Sequence, residues 1–307
     1  MQHEQVDIVS DGVTLRGWLF LPEQPHKESV PVIVMAHGFA AVKEQYLAHF
    51  AEVFVQAGLA ALVFDYRNFG TSDGEPRQES DPWAQIRDYR NVISYAQTRK
   101  ELDADRIGIW GTSYSGGHVL VLGAIDKRIQ CVVAQVPTIS GYQGWLRRMQ
   151  PDQITRMNEA FVIDHERVYA GGSPALGPVI PETAGGQGRY GSPDAVAFFS
   201  RPESRPATWH NAITLRSNEM ARDYEPGSYI ARISPTPLLM IVSDSDTVTF
   251  TDLALHAYEQ ALEPKRLVLL PGEHFTPYIG TFAEASAAAR EWFLTHLMPM
   301  SVGKTIT

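Results

Sequence analysis

The sequence predicts an α/β protein whose mostly parallel β-sheet is covered by helices on both faces. Strand-like and helix-like runs alternate over both ends of the chain, which is typical of parallel strands joined by right-handed crossovers. A serine flanked by small residues stands between one such strand and its helix, in RIGIWGTSYSGGHVL, which begins at Arg106. Two aspartates and a histidine follow two later strands.

The first third of the chain supplies a hairpin, two buried strands and two helices. QVDIVS and VTLRGWLFLP, joined by Asp11-Gly12, predict the hairpin. VPVIVMAHGF and LAALVFDYRNFG are nearly continuous apolar runs, typical of strands buried on both faces. Between them, KEQYLAHFAEVFVQAGL has helical periodicity and ends at Gly58. DPWAQIRDYRNVISYAQTRK predicts a helix with Asp81 as its cap and Pro82 in its first turn.

The alternation continues through strand RIGIWG, helix SYSGGHVLVLGAI and strand IQCVVAQVP. It resumes with strand TPLLMIVS, helix TDLALHAYEQAL, strand RLVLLPG and helix FAEASAAAREWFLTHL. The segment between is rich in Gly and Pro, yet GYQGWLRRM and ITRMNEAFVIDHERVYA look helical, and structureless loops of that length are uncommon. We expect a core of residues 1–136 and 234–307, with an inserted cap, 137–233, over the carboxyl edge of the sheet, where such sheets bind ligands.

The composition limits the kinds of protein and of binding partner that are compatible with this sequence. The 307 residues carry a formal net charge of −9, which disfavours a nucleic-acid surface. No apolar run is long enough to span a bilayer, and the N-terminus lacks the pattern of a secretory signal. The single cysteine, Cys131, precludes an internal disulfide and suits a reducing compartment. We expect a cytoplasmic protein with a small-molecule substrate and no membrane partner; association with a second copy is left open.

Ser113 is the central residue of a predicted sharp turn between strand and helix. Such a turn strains its central residue and needs small neighbours two positions away, here Gly111 and Ser115. Ser115 departs from the usual G-x-S-x-G pattern, although Gly116 and Gly117 follow. The turn would expose the hydroxyl as a nucleophile; the alternative is an ordinary helix-capping serine.

A nucleophilic serine needs a base, and the base needs an acid to orient it. Asp244 and Asp246 follow TPLLMIVS, and His274 follows RLVLLPG, so all three fall in loops at the carboxyl edge that holds Ser113. We predict the triad Ser113, Asp246 and His274, with Asp244 as the alternative acid. A metal site is the competing interpretation of Asp-x-Asp, but neither His nor Cys lies nearby to support it.

The negative charge of a tetrahedral intermediate needs hydrogen-bond donors. MAHGF follows the third strand, and we assign the oxyanion hole to the backbone amides of Phe39 and Tyr114. His37 is expected to stabilise its loop rather than act as a base.

The stretches AHGF, DYRNFGTSDGE, GTSYSGG, SDSDTV and GEHFTPY resemble the α/β-hydrolase superfamily across nearly the whole chain. GTSYSGG, TWHNAITLRS, SPTPLLMIVSDSD and GEHFTPY are similar to the branch of the fungal polyketide transferase-like hydrolases, related to the dienelactone hydrolase and Xaa-Pro dipeptidyl-peptidase groups. The resemblance implies a Ser-His-Asp hydrolase or acyl transferase with a helical cap. Dienelactone hydrolases use a cysteine nucleophile, whereas this chain has Ser113.

Apolar residues of the cap, Trp145, Met149 and Trp209 with Phe161 and Met220, are expected to line an acyl or aromatic pocket; the alternative is that they form the cap's own small core.

Charged residues near the predicted site have structural interpretations as well as functional ones. For Arg147 and Arg148 a solvated face of a cap helix is preferred over contact with a substrate carboxylate. For Asp65 and Arg67 an ion pair that braces their loop is preferred over contact with substrate.

Together these features predict a serine hydrolase that cleaves an ester, thioester or lactone of a small organic substrate through an acyl-enzyme, with no metal or organic cofactor. Two alternatives stay open: an acyltransferase that passes the acyl group to an alcohol or amine, and a non-catalytic ligand receptor on the same fold.

Overall fold

The computed structural model describes residues 2–23, 29–183 and 186–298. Its strands are β1 (Glu4–Ser10), β2 (Val13–Phe20), β3 (Val30–Ala36), β4 (Ala60–Phe64), β5 (Leu102–Thr112), β6 (Ile129–Gln135), β7 (Leu176–Gly177), β8 (Ile213–Thr214), β9 (Leu238–Ser243) and β10 (Lys265–Leu270). Its helices are α1 (Leu47–Gln56), α2 (Pro82–Thr98), α3 (Tyr114–Ile125), α4 (Gly141–Arg148), α5 (Pro151–Tyr169), α6 (Pro193–Phe199), α7 (Leu215–Arg222), α8 (Thr251–Gln260), α9 (Thr276–Ile279) and α10 (Phe282–Leu297).

Eight strands form one sheet in the order β1-β2-β4-β3-β5-β6-β9-β10, and β7 pairs with β8 apart from it. β1 and β2 run antiparallel to their neighbours, while the six strands from β4 to β10 along the sheet pair in parallel. The carboxyl ends of those six strands therefore meet at one edge. The predicted α/β fold with a mostly parallel sheet is confirmed.

Helices cover both faces of the sheet because its central strands are apolar on both sides. Every residue of β3, β4 and β9 is buried. Along β3, Val32 and Val34 pack into one hydrophobic core, and Ile33 and Met35 pack into a second core on the opposite face. The continuous apolar runs of the sequence have this origin, since alternate side chains of a strand point to opposite faces.

Helix α1 begins four residues later than the predicted run, which started at Lys43. The Lys43 ammonium donates to the Asp65 carboxylate, 2.6 Å away, and the Gln45 side chain accepts from the Val42 amide at 3.0 Å. Tyr46 has a left-handed φ of 65°, which a continuing helix does not allow. These hydrogen bonds, one local and one to a residue 22 positions away, hold the chain in turns before the helix starts.

Asp65 and Arg67 do not pair with each other, which corrects the predicted ion pair. Asp65 points toward the loop after β3 and binds Lys43, whereas Arg67 points toward α2 and donates to Asp88 with its Nε 3.0 Å from the carboxylate. Both residues brace loops, but with different partners.

The segment between β6 and β9 contains α4 to α7 and the short pair β7–β8. It includes the residues predicted as an inserted helical cap, and the domain boundaries given above remain predictions. No helix in the described ranges is long and apolar enough to cross a bilayer.

Candidate active site

Ser113 occupies the sharp turn between β5 and α3, with φ 56° and ψ −114°. This conformation is rare for a residue with a side chain, and it persists only when the surroundings hold it. Small neighbours make the turn possible: a Cβ on Gly111 would lie 2.1 Å from the Ser115 carbonyl oxygen, and one on Gly116 would lie 2.7 Å from the Pro137 Cα. The glycines around the serine thus permit β5, α3 and the chain just after β6 to pack closely together.

Three side chains from separate loops form one hydrogen-bonded chain. His274 Nε2 lies 3.0 Å from Ser113 Oγ, and His274 Nδ1 lies 2.7 Å from Asp246 Oδ2. All three residues are buried. A neutral imidazole bonded to a carboxylate through Nδ1 carries its proton there, so Nε2 is left to accept the serine hydroxyl proton.

The Asp246 carboxylate is held as an anion by the groups around it. Burial by itself raises the pKa of Asp246, but the electrostatic interaction with His274 and hydrogen bonds from His274 and Thr249 outweigh burial and bring the pKa below its usual value. The amides of Val248 and Thr249 donate to Oδ1 at 2.7 and 2.9 Å, and the Thr249 hydroxyl donates to Oδ2 at 2.8 Å.

Asp244, the alternative acid, does not contact His274. Its exposed carboxylate accepts from the Gly272 amide at 3.0 Å and from the Ser245 hydroxyl at 2.8 Å. Asp244 therefore joins the loop after β9 to the loop after β10, and Asp246 alone lies against the imidazole.

The loop after β3 lies directly against Ser113. A Cβ on Gly38 would stand 3.0 Å from the Ser113 Cβ, so any larger residue here would push the loop and the serine apart by a few tenths of an ångström. Phe39 follows Gly38, and Tyr114 is the first residue of α3, where an amide has no partner within the helix. The two amides predicted as the oxyanion hole thus belong to backbone that adjoins the serine, which is compatible with that role.

Ser115, the departure from the usual glycine pattern, fastens this loop. Its hydroxyl donates to the His37 carbonyl oxygen at 2.5 Å and accepts from the Tyr66 hydroxyl at 2.7 Å. His37 itself donates through Nδ1 to the Gly38 carbonyl at 2.9 Å, and burial lowers its pKa. A neutral His37 in these contacts fits a loop-stabilising role.

Two cavities meet at Ser113, and Phe39 and Tyr190 line both. The first, which we call the apolar cavity, also contains His274 and is walled mainly by Leu47, Phe198, Phe199, Phe275 and Tyr278. The second, which we call the polar cavity, is lined by Tyr114, Ser140, Arg148, Arg189 and Thr249 among others. A bound substrate could extend from the serine in two chemically different directions.

The predicted pocket residues of the cap lie elsewhere, which corrects their placement. Trp145, Met149 and Trp209 line neither cavity at Ser113. The buried Trp145 packs under the Arg222 guanidinium, 5.5 Å away, within the cap segment. Trp209 donates to the Ala40 carbonyl and stacks behind Phe199, so it supports the apolar wall without forming it.

The residues that do form the apolar wall were missed. Phe275 directly follows His274 and Tyr278 comes four positions after it, so their closeness in sequence to the predicted base was the available signal. Phe198 and Phe199 lie on the short helix α6, inside a Gly- and Pro-rich region that carries no periodic pattern.

Arg148 is not on a solvated face, contrary to the prediction for it. Arg147 is exposed and pairs with Asp252 at 2.7 Å, but Arg148 turns inward and donates through Nη1 to the Val248 carbonyl at 2.5 Å. Burial, together with the charge of Arg189, lowers the pKa of Arg148 to about 9. Adjacent residues of a helix point about 100° apart, so one arginine of the pair can be buried while the other is exposed.

The sequence profile of the X-Pro dipeptidyl-peptidase (S15) family matches residues 11–276. Thiohydrolase aneE of Aspergillus aculeatus is 34% identical over 264 residues, covering 84% of this chain and 81% of the relative. Quorum-quenching protein AidA of Acinetobacter baumannii is 31% identical over 295 residues, covering 96% of this chain and 95% of the relative.

A third relative is similar in both sequence and structure. Polyketide transferase grgF of a Penicillium species is 28% identical over 263 residues, covering 86% of this chain and 85% of its own. The crystal structure of the α/β hydrolase GrgF from Penicillium sp. sh18 superposes with a TM-score of 0.84 at 25% identity, covering 97% of this chain and 99% of that one.

Proposed function

The chain belongs to the X-Pro dipeptidyl-peptidase (S15) family, and from this premise we propose that it is a serine hydrolase that cleaves an ester, thioester or lactone through an acyl-enzyme. The observation that carries the proposal is the His274 ring, which bridges Ser113 Oγ and the Asp246 carboxylate with hydrogen-bonding geometry at both nitrogens. A serine becomes nucleophilic when such a base takes its proton.

In the proposed reaction, Ser113 Oγ attacks the substrate carbonyl while its proton passes to His274 Nε2. Asp246 keeps the imidazole in the correct tautomer and stabilises the imidazolium. The amides of Phe39 and Tyr114 stabilise the oxyanion, and His274 returns the proton to the leaving alcohol or thiol as its bond to carbon breaks. A water molecule, deprotonated by the same histidine, then releases the acid.

The relatives favour a thioester or ester over a peptide bond. One relative is named a thiohydrolase, and both it and the quorum-quenching protein align over more than four-fifths of this chain. We therefore propose a small acyl thioester or ester as the substrate, with neither a nucleic acid nor a membrane as partner. A cytoplasmic location is part of the proposal and rests on the single buried Cys131.

Acyl transfer is the second candidate, because a relative is named a polyketide transferase. The apolar cavity contains His274 and would exclude water while holding an organic acceptor beside the base. Adding an alcohol or amine to the reaction separates the two activities: a transferase yields the new ester or amide as its main product, and a hydrolase yields the free acid.

The test of hydrolysis compares wild type with Ser113→Ala on a panel of p-nitrophenyl esters and acyl thioesters. We expect kcat to fall on the order of 10³-fold or more, since residual activity comes only from binding and the oxyanion donors. Ser94→Ala, an exposed serine of α2, is the matched control and should keep wild-type turnover. Circular dichroism checks that both variants are folded; a folded Ser113→Ala protein with retained turnover would refute the proposal.

A further inference from the structure

The polar cavity beside Ser113 contains positive charge without a matching carboxylate. Arg148, at the end of α4, and Arg189, in the loop before α6, both line it. The ion pairs formed among residues 2–23, 29–183 and 186–298 involve neither guanidinium. Two arginines close to each other and partly buried repel one another, so an anion between them would be stabilised.

Residues of this cavity also hold buried donors that lack an acceptor. The Nε atoms of Arg148 and Arg189 and the hydroxyl of Tyr114 are sealed from solvent without a hydrogen-bond partner in the described part of the chain. Buried polar groups are nearly always satisfied, so three unpartnered donors around one cavity call for a ligand with several acceptor oxygens.

The two guanidiniums are held in place rather than free to swing into solvent. Arg148 donates from Nη1 to the Val248 carbonyl, and Arg189 lies over the rings of Phe39 and Tyr190 at 5.4 and 5.6 Å. Held in this way, the donors lose little conformational entropy when an anion binds.

Two carboxylates beside lining residues of the polar cavity are already engaged. The charge of Asp246 reaches Arg148, but its oxygens accept from His274, Val248 and Thr249. Glu225 accepts at Oε1 from the hydroxyl of Ser140, a lining residue, and lies on the exposed side. Neither acid neutralises the cavity in which the unpartnered donors lie.

The positions of the cavities relative to His274 indicate which part of a substrate each would take. The leaving atom must come within reach of His274 to receive its proton, and His274 lines the apolar cavity. The leaving group therefore fits the apolar cavity, and the acyl group extends into the polar one.

We propose that the polar cavity is a carboxylate-binding subsite formed by Arg148, Arg189 and Tyr114, so that the preferred acyl group of the substrate ends in a carboxylate. This proposal rests on the function proposed for Ser113. A guanidinium matches a carboxylate with parallel N–H donors, and the pairing is both stronger and more directional than a neutral hydrogen bond.

The kinetic test uses mono-p-nitrophenyl adipate, which carries a free carboxylate, and its methyl ester, which does not. The wild-type protein should hydrolyse the carboxylate substrate with a kcat/KM about tenfold or more above that of the methyl ester. Arg148→Met and Arg189→Met each remove the charge and keep a long side chain. Each should reduce kcat/KM for the carboxylate substrate about tenfold. For the methyl ester, each should change kcat/KM less than about threefold. Arg147→Met is the matched control from the same helix and should change neither.

A binding measurement separates this subsite from the chemistry at Ser113. Adipate is titrated calorimetrically into Ser113→Ala protein and into the same protein with Arg148→Met or Arg189→Met, with adipamide as the neutral comparison. Adipate should bind to the Ser113→Ala protein, and each arginine substitution should lower the affinity for adipate about tenfold. Adipamide should not bind.

The two measurements give distinct outcomes for the two proposals. Ser113-dependent hydrolysis of both esters without preference, and no adipate binding, overturns the subsite while the hydrolase stands. If adipate binding depends on the arginines but neither ester is hydrolysed, the subsite is supported and the proposed hydrolase function is refuted. Failure of both measurements overturns both, and because Arg148 also contacts the Val248 carbonyl, thermal unfolding of each variant verifies that it is folded.

Discussion

Asp244 and Asp246 lie two positions apart after the same strand, yet they make different contacts. Asp244 is exposed and ties two loops together, whereas the buried Asp246 lies against the His274 ring. Both were candidates from the sequence, because each follows β9 at the carboxyl edge. A substitution at Asp246 can therefore be compared with a matched control substitution at Asp244.

We predict that Asp246→Asn lowers kcat by roughly 10³- to 10⁴-fold, because an amide donor at this position would favour the wrong tautomer of His274. Asp244→Asn keeps an acceptor oxygen for the Gly272 amide and should stay within a few-fold of wild type. Steady-state kinetics of both variants on one ester substrate measures the difference. Comparable losses in the two variants, or a larger loss at position 244, would mean that the acid has been assigned incorrectly.

The burial of the two arginines of α4 could not be predicted from the sequence. Arg147 and Arg148 are adjacent and chemically identical, and composition alone favoured a solvated face for both. Which one turns inward depends on the rotation of α4 against the loop that carries Val248, and no local pattern records that rotation.

Helix α3, which begins directly after the strained Ser113, packs against α2 through a buried histidine. His118 donates through Nε2 to Gln85 Oε1 at 2.9 Å and accepts at Nδ1 from the Tyr224 hydroxyl at 2.9 Å. Burial lowers the pKa of His118 to about 3, so the ring stays neutral in the folded protein at mildly acidic pH. The helix that carries the nucleophile is thus joined to both the core and the cap segment.

This burial makes stability depend on pH. Between pH 6.5, where the unfolded histidine titrates, and about 3, the unfolded chain binds a proton that the folded chain does not, so the free energy of unfolding falls as pH falls. From pH 7 to pH 5 the loss owed to His118 should be about 2 kcal/mol. Urea denaturation of wild type and His118→Phe at both pH values measures it.

The His118→Phe protein should be less stable than wild type at pH 7, since two hydrogen bonds are lost, but it should lose about 2 kcal/mol less on acidification to pH 5. Other titrating groups are common to both proteins and cancel in the comparison. An identical loss in wild type and variant would show that the ring at position 118 is not kept neutral by the fold.

Strands and long helices could be predicted because their patterns are local. The hairpin turn at Asp11-Gly12 has the positive φ values that its sequence predicts, and Asp81 caps α2 by accepting from the amides of Trp83 and Ala84. The start of α1 could not be predicted, because it depends on Asp65, a residue 22 positions away that engages Lys43.

For the molecule as a whole, the predicted α/β-hydrolase fold is confirmed by the sheet order and by the superposition on GrgF. The convergence of Ser113, Asp246 and His274 was predictable because parallel strands bring their carboxyl ends to one edge whatever the loops do. Much of the cavity walls was not predictable, because Phe198, Phe199, Arg148 and Arg189 come from the segment between β6 and β9, whose Gly- and Pro-rich stretch carries no periodic pattern.

The central claim is that the folded chain activates the hydroxyl of Ser113, and its most direct measurement is reaction with a fluorophosphonate probe followed by mass spectrometry of the peptides. We predict one adduct per chain, located on Ser113, absent from Ser113→Ala and formed far more slowly by His274→Ala. An unmodified Ser113 in the folded wild-type protein would contradict the claim and leave a ligand receptor on the hydrolase fold.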